Sequence, residues 1–89
     1  MTHGQVRGTV VTTAETVRTG AGRVFEFTTT LGDRNWDVYD NTSATGDPIA
    51  KIAAAAAVPN SGVLSVTFNT GLHIAVASGT TGNLTITHT

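Results

Sequence analysis

The last third of the chain alternates apolar and polar residues as half-buried β-strands do. Leu64, Val66 and Phe68 share one parity, and Ser65 and Thr67 occupy the positions between them. A period of two residues is typical of a strand that buries one face, and it continues through 72–78 and 84–88. The pattern predicts three strands with a common apolar face made of Leu64, Val66, Phe68, Leu72, Ile74, Val76, Leu84 and Ile86.

Two short loops that end in glycine separate these three strands. The loops at 69–71 and 80–82 read Asn-Thr-Gly and Thr-Thr-Gly, which suits three-residue hairpins whose glycine takes the left-handed conformation. Hairpins here would pair the strands as an antiparallel meander, with Val66 opposite Ile74. A slip of one residue would place threonine against isoleucine, so loop chemistry and strand pattern indicate the same register.

A second core surface is predicted between residues 23 and 39. Its apolar positions are Phe25, Phe27, Leu31, Trp36 and Val38. The Gly-Asp pair at 32–33 has the composition of a two-residue hairpin loop, which would set Phe27 opposite Val38 and leave Tyr39 pointing away. This hairpin would cover the meander as the second sheet of a sandwich.

The other segments are less regular. Residues 1–20 alternate weakly, which predicts edge strands or an intersubunit arm. Residues 40–48 form a turn-rich loop. Residues 49–58 suit either a short helix or a strand of small side chains, and the strands around them favour the strand. We therefore expect an all-β fold, a jelly-roll-like antiparallel sandwich of roughly six to eight short strands with 21–89 as its core.

Composition and charge indicate which kinds of molecule the chain is expected to bind. The 89 residues carry five basic and six acidic side chains without clusters, so neither nucleic acid nor a membrane surface is an expected partner. The chain contains no cysteine. Because a core of this size is marginal without disulfides or a metal, association with other subunits is the expected source of additional stability.

The sequence predicts no catalytic, cofactor or metal site. His73 and His88 fall on opposite faces of the predicted meander, so they do not converge. The aspartates between residues 33 and 47 suit turns and caps better than a calcium loop. No Gly-x-Ser-x-Gly elbow or phosphate-binding glycine loop is present, so we do not expect an enzyme.

Three turn motifs carry a resemblance to a known group of proteins. They are Asp-Asn-Thr-Ser at 40–43, Gly-Leu at 71–72 and Gly-Thr-Thr at 79–81, each at the end or start of a strand. With the strands between them, they resemble small virion structural proteins of tailed bacteriophages, of the capsid decoration (cement) or head- and tail-fibre type. The resemblance covers most of 24–89. It implies a β-sandwich subunit that is often a trimer and has no catalytic residues.

From this resemblance we expect a decoration protein, made in the host cytoplasm and located on the virion. Its partners would be the major capsid protein or another virion protein, together with further copies of itself. The alternative is a head- or tail-fibre module that binds host-surface glycan or acts as a receptor-binding adaptor. The residues expected to make contacts are Val6, Val10, Val11, Tyr39, His73, Ala75 and Ala77.

Overall fold

The computed structural model describes residues 6–54 and 60–89, and the elements found there are β-strands. Eight strands follow one another along the chain. They are β1 (Arg7–Val11), β2 (Glu15–Thr19), β3 (Gly22–Thr29), β4 (Asn35–Tyr39), β5 (Ala50–Ile52), β6 (Asn60–Phe68), β7 (Gly71–Ser78) and β8 (Leu84–His88). The all-β prediction is confirmed.

The strands form two four-stranded antiparallel sheets. Sheet A has the order β1-β8-β3-β6, and sheet B has the order β2-β7-β4-β5. Successive strands therefore switch from one sheet to the other, except for the hairpin of β4 and β5. Two sheets with nested connections of this kind make a jelly roll.

The core lies between the sheets and contains the predicted apolar residues. The fully buried side chains include Phe68, Leu72, Ile74, Leu84, Ile86, Trp36 and Val38. Leu64, Val66 and Val76 are partly buried and pack against them. The burial predicted for these residues of the last third of the chain is thus confirmed, although they come from the inner faces of both sheets.

The predicted meander, in contrast, is wrong. β6 pairs with β3 in sheet A, β7 pairs with β2 and β4 in sheet B, and β8 returns to sheet A between β1 and β3. Val66 therefore lies opposite Val24 rather than Ile74. The loops at 69–71 and 80–82 are corners between the two sheets, and their amide groups bond to aspartates elsewhere in the chain.

The predicted hairpin at 32–33 is wrong for the same reason. β3 belongs to sheet A and β4 to sheet B, so Phe27 lies opposite Ile86 and Gly62, not Val38. The main-chain amide groups of Asp33 and Arg34 donate to the carbonyl oxygen of Thr81, at 3.1 and 3.0 Å. A Cβ at Gly32 would overlap the main chain of Thr81, which makes glycine necessary at this close approach.

A bulge changes the buried parity of β3. The pairing with β8 shifts between Val24 and Glu26, so both Val24 and Thr29 are buried although their parities differ. Leu31 lies beyond the strand and is 55% exposed, contrary to its predicted place in the core. On β6 the matching irregularity includes Ser65, whose φ of 48° is left-handed.

The ambiguous segment contains a strand where it is described. Residues 50–52 form β5, which pairs with β4, so the strand interpretation is confirmed there. Residues 53 and 54 follow without regular structure, and 55–59 lie outside the described residues. In the N-terminal segment, β1 and β2 each lie at one edge of a sheet, and 1–5 are outside the description.

Candidate interaction surfaces

A row of polar and aromatic side chains crosses the outer face of sheet B. Tyr39 of β4 lies opposite His73 of β7, which lies opposite Thr16 of β2. The rings of Tyr39 and His73 are tilted by 55°, with centroids 6.4 Å apart. Both rings are partly exposed, so they form a small aromatic ledge beside the 40–49 loop.

The hydrogen bonds of this row determine which ring nitrogen of His73 carries a hydrogen. Thr16 Oγ1 donates its single hydrogen to the carbonyl oxygen of Thr42 at 2.9 Å. The same oxygen must then accept from His73 Nδ1, 2.9 Å away. His73 therefore carries a hydrogen on Nδ1, and its neutral form presents Nε2 as an acceptor.

An ion pair and a shallow groove occupy the rest of this face. Lys51 Nζ lies 3.7 Å from Asp37 Oδ1, and Ala75 lies on the other side of Asp37. The neighbouring groove has a volume of about 280 Å³ and is lined by Asn35, Trp36, Asp37, Lys51, Ile52, Ala53 and Ala77. This volume is close to the lower end of the range of small-molecule sites, roughly 300–1,000 Å³.

Two rows of residues that cross the outer face of sheet A carry one charged side chain between them. One row of opposed residues crosses all four strands as Val10, Thr85, Thr28 and Ser61. The next row is Gly8, Thr87, Glu26 and Val63. Glu26 is the charged side chain of these two rows. Val10 is 57% exposed and Val63 is 76% exposed, so an apolar side chain lies on each side of a group of hydroxyl side chains.

Asp33 holds the corner that leads from β7 to β8. Its Oδ1 accepts hydrogen bonds from the amides of Thr80 (2.9 Å) and Thr81 (2.8 Å) and from the Thr81 hydroxyl (2.9 Å). These donors, the Thr80 amide first, lower the pKa of Asp33 from 3.8 to about 2. Asp33 is exposed, so the arrangement is a structural clamp at the surface.

Asp40 holds the corner between β6 and β7 in the same way. Its Oδ1 accepts from the amides of Asn69 (2.9 Å), Thr70 (2.8 Å) and Gly71 (3.4 Å). The Thr70 amide is the main cause of the lowered pKa of Asp40. Asp33 and Asp40 flank β4, so the two ends of one strand fix the two ends of β7.

The predicted contact residues are distributed over two opposite surfaces and the core. Tyr39, His73, Ala75 and Ala77 share the outer face of sheet B, whereas Val10 lies on the outer face of sheet A. Val6 precedes β1 and is 60% exposed. Val11 is fully buried between the sheets, so its side chain offers no surface to a partner.

Three further residues are structurally prominent: Val63 was not singled out from the sequence, and Asp33 and Asp40 were assigned there only to turns and caps. Val63 is 76% exposed, and its parity with Ser65 and Thr67 places it on the polar face, a signal that the sequence does contain. The clamping roles of Asp33 and Asp40 depend on contacts between distant segments, and no local motif reveals them.

Residues 6–54 and 60–89 contain neither a cluster of metal ligands nor a membrane-spanning helix. No group of three or more His, Cys, Asp or Glu side chains there is placed to share a metal ion. In the same residues, no helix has the length and apolar character needed to cross a membrane.

Comparisons of the chain with protein-family models, curated proteins and solved structures gave no significant match. The resemblance to bacteriophage virion proteins therefore stays an expectation from the turn motifs and strand pattern.

Proposed function

We propose that this chain is a structural subunit of a virus particle, a decoration protein that binds the capsid as a homo-oligomer and stabilises it. The observation that carries the proposal is the outer face of sheet A, where two rows that cross all four strands combine exposed valines and hydroxyl side chains with a single carboxylate. A surface of this kind loses little hydration energy on contact, because it buries few charges.

The architecture agrees with the proposal by analogy. Jelly rolls recur in viral capsid and lectin domains, although a fold alone does not determine a function. Together with the resemblance in the turn motifs, the fold favours a virion subunit over an unrelated binding protein. The partner in this role is the major capsid protein or another virion protein.

The size of the face explains why several copies would act together. Four strands about 4.8 Å apart, paired over about five residues, present an area of roughly 19 by 17 Å. A standard interface buries about 800 Å² on each partner, more than twice this projected area. Linking copies makes further contacts intramolecular and raises the overall affinity. The resemblance implies a trimer for this assembly.

The test is the copy number of the chain in purified particles. Gradient-purified particles from cells that produce the chain are analysed by quantitative mass spectrometry against the main shell protein. We expect the chain to co-sediment in numbers comparable to the shell protein, and particles without it to lose their contents at a lower temperature. A chain that stays in the soluble fraction would contradict the proposal.

A specific observation favours the fibre module as the second candidate. Tyr39 and His73 form a partly exposed ledge beside the polar 40–49 loop, and aromatic faces are common platforms for sugars. This candidate predicts few copies per particle and glycan binding that Tyr39→Ala removes. Titration calorimetry with surface glycans of the host, with Val10→Ala as the control variant, measures it.

A further inference from the structure

The four edge strands of the sandwich differ in how well they are protected from pairing with another chain. An open edge attracts a new strand unless charges, bulges or short length prevent it. β1 carries Arg7, β2 carries Glu15 and Arg18 with a register shift, and β5 has three residues with Lys51. β6 has nine residues and no charged side chain, and its own register shift lies between Val63 and Val66.

The free side of β6 also exposes an apolar residue. Val63 is 76% exposed, the highest value among the large hydrophobic residues of the described chain. Beside it lies a groove of about 270 Å³, lined by Glu26, Phe27, Thr28, Ser61, Gly62 and Val63. The residues from Asn60 to Val63 pair regularly with β3, before the bulge near Ser65. In an antiparallel contact centred on Val63, this extended segment would run along residues 63–66 of the second copy, so the irregularity at Ser65 lies within the contact.

We infer that β6 is the contact between two copies of this chain, joined antiparallel about a two-fold axis near Val63. The free amide and carbonyl groups of the edge would bond across the axis, and sheet A would become one eight-stranded sheet. Val63 would lie beside Val63 of the second copy on the outer face of sheet A, and each would shield part of the other from water. A two-fold contact needs a self-complementary strand, and an uncharged one meets its copy without repulsion.

The charges next to β6 agree with this pairing. Arg23 reaches over the strand, and its Nη2 donates to Ser65 Oγ at 2.7 Å. Glu26 lies opposite Val63 on β3. With the axis near Val63, Glu26 of each copy lies level with the axis, and the Arg23 guanidinium lies over Ser65, two residues further along the strand. Positive and negative side chains then both lie near the contact region, within a Debye length of it. That length is about 8 Å at physiological salt.

This inference rests on the geometry of β6 and is independent of the virion role. A two-fold contact gives a dimer as the basic unit, in place of the trimer that the resemblance implies. Failure of the dimer would leave the particle copy number unaffected, and a chain missing from particles would leave the dimer unaffected.

Cysteine cross-linking tests the position of the contact. The chain has no cysteine, so Val63→Cys introduces a single thiol. Oxidation or a short bis-maleimide should convert this variant into a covalent dimer. Val10→Cys is the matched control, because Val10 is an exposed valine at the opposite edge of the same face. The absence of a covalent Val63→Cys dimer would overturn the inference. So would a mixture of the two variants in which Val63→Cys cross-links preferentially to Val10→Cys.

Light scattering behind size exclusion tests the oligomeric state. We expect the native chain to elute with twice the monomer mass, and Val63→Lys to halve that mass because two like charges would face each other across the axis. Val10→Lys should remain a dimer. Circular dichroism checks that both variants are folded. A native monomer at every concentration, a native trimer, or a Val63→Lys dimer would each overturn the inference.

Discussion

Asp33 and Asp40 show how a single carboxylate oxygen organises a corner of the chain. Each accepts amide hydrogen bonds from consecutive residues of a loop that passes between the sheets. Such amides would otherwise need water, because a corner has no neighbouring strand to accept them. Charge-assisted hydrogen bonds are stronger than neutral ones, so an aspartate suits this position better than an asparagine.

The Asp33 clamp predicts a definite pH dependence. Its folded-state pKa of about 2 lies below the ordinary value of 3.8, so the charged carboxylate favours the folded state. This contribution is complete above pH 3.8 and is lost as the pH falls towards 2. Asp33→Asn should therefore have a lower Tm than the native protein at neutral pH, and the gap should close across that window.

Thermal unfolding followed by circular dichroism measures this effect. Asp47→Asn is the control, because Asp47 is an exposed aspartate and the corner amides bond to Asp33 and Asp40 instead. Asp40 should contribute in the same direction, since its pKa is also lowered. Parallel curves of Tm against pH for the native protein and Asp33→Asn would contradict the assigned role.

At the scale of elements, the corners decide which strands become neighbours. A meander would place Ser65 opposite Ala75, whereas the observed sandwich puts them on the outer faces of different sheets. In the predicted arrangement Thr28 and Thr85 would belong to different sheets, but here they lie opposite each other on β3 and β8. Cross-strand residues of this kind have Cβ atoms about 4.5–5.5 Å apart.

Paired cysteines distinguish the two arrangements. Thr28→Cys with Thr85→Cys should form an intramolecular disulfide after modest adjustment, since disulfides need Cβ atoms about 3.5–4.5 Å apart. Ser65→Cys with Ala75→Cys should keep both thiols free within the monomer. Non-reducing electrophoresis and the mass of the oxidised protein give the result. A disulfide in the second pair alone would support the meander.

The sequence predicted correctly which side chains are buried but not which strands pair with each other, and the reason is physical. Alternation along a strand reports which side chains leave water, so Leu64, Phe68 and Ile74 were placed correctly in or against the core. A short loop ending in glycine is compatible with a hairpin or a corner. The carboxylates that select the corners come 30 and 47 residues earlier, and a single sequence gives no signal for a contact at such a distance.

The same limit applies to the candidate surfaces. Parity alone assigns His73 and Ala75 to one outer face, and the structure adds Tyr39 beside them through the pairing of β4 with β7. The prominence of Val63 follows from the position of β6 at an edge, which depends on the order of the whole sheet. Residue patterns therefore indicate which side chains are exposed, whereas locating an interaction surface also requires the order of the strands in the sheets.

For the whole molecule, the nested strand order makes nearly all strand pairing non-local. β1 pairs with β8, so the first and last described strands are neighbours, and Arg7 lies opposite His88. His88 is buried, and its Nε2 lies 2.8 Å from the Thr9 hydroxyl. Folds dominated by such distant contacts typically form in milliseconds to seconds, because loop closure precedes the stabilising contacts.

The fully buried side chain of Val11 predicts that β1 stabilises the monomer itself. Val11→Ala removes two methyl groups from the core and should lower the free energy of unfolding by about 2 kcal/mol. Val10→Ala, one residue earlier and 57% exposed, should change it by less than about 0.5 kcal/mol. Urea unfolding monitored by the fluorescence of Trp36, the single tryptophan, measures both variants.

The difference in unfolding free energy between these two variants, measured at several protein concentrations, distinguishes a core strand from an intersubunit arm. If β1 packs within its own chain, the gap between Val11→Ala and Val10→Ala should be the same in dilute and concentrated protein. An arm that stabilises only an assembly would give a gap that vanishes on dilution, because linkage to association weakens as subunits separate. Since Val11 lies opposite Leu84 inside sheet A, we expect the constant gap.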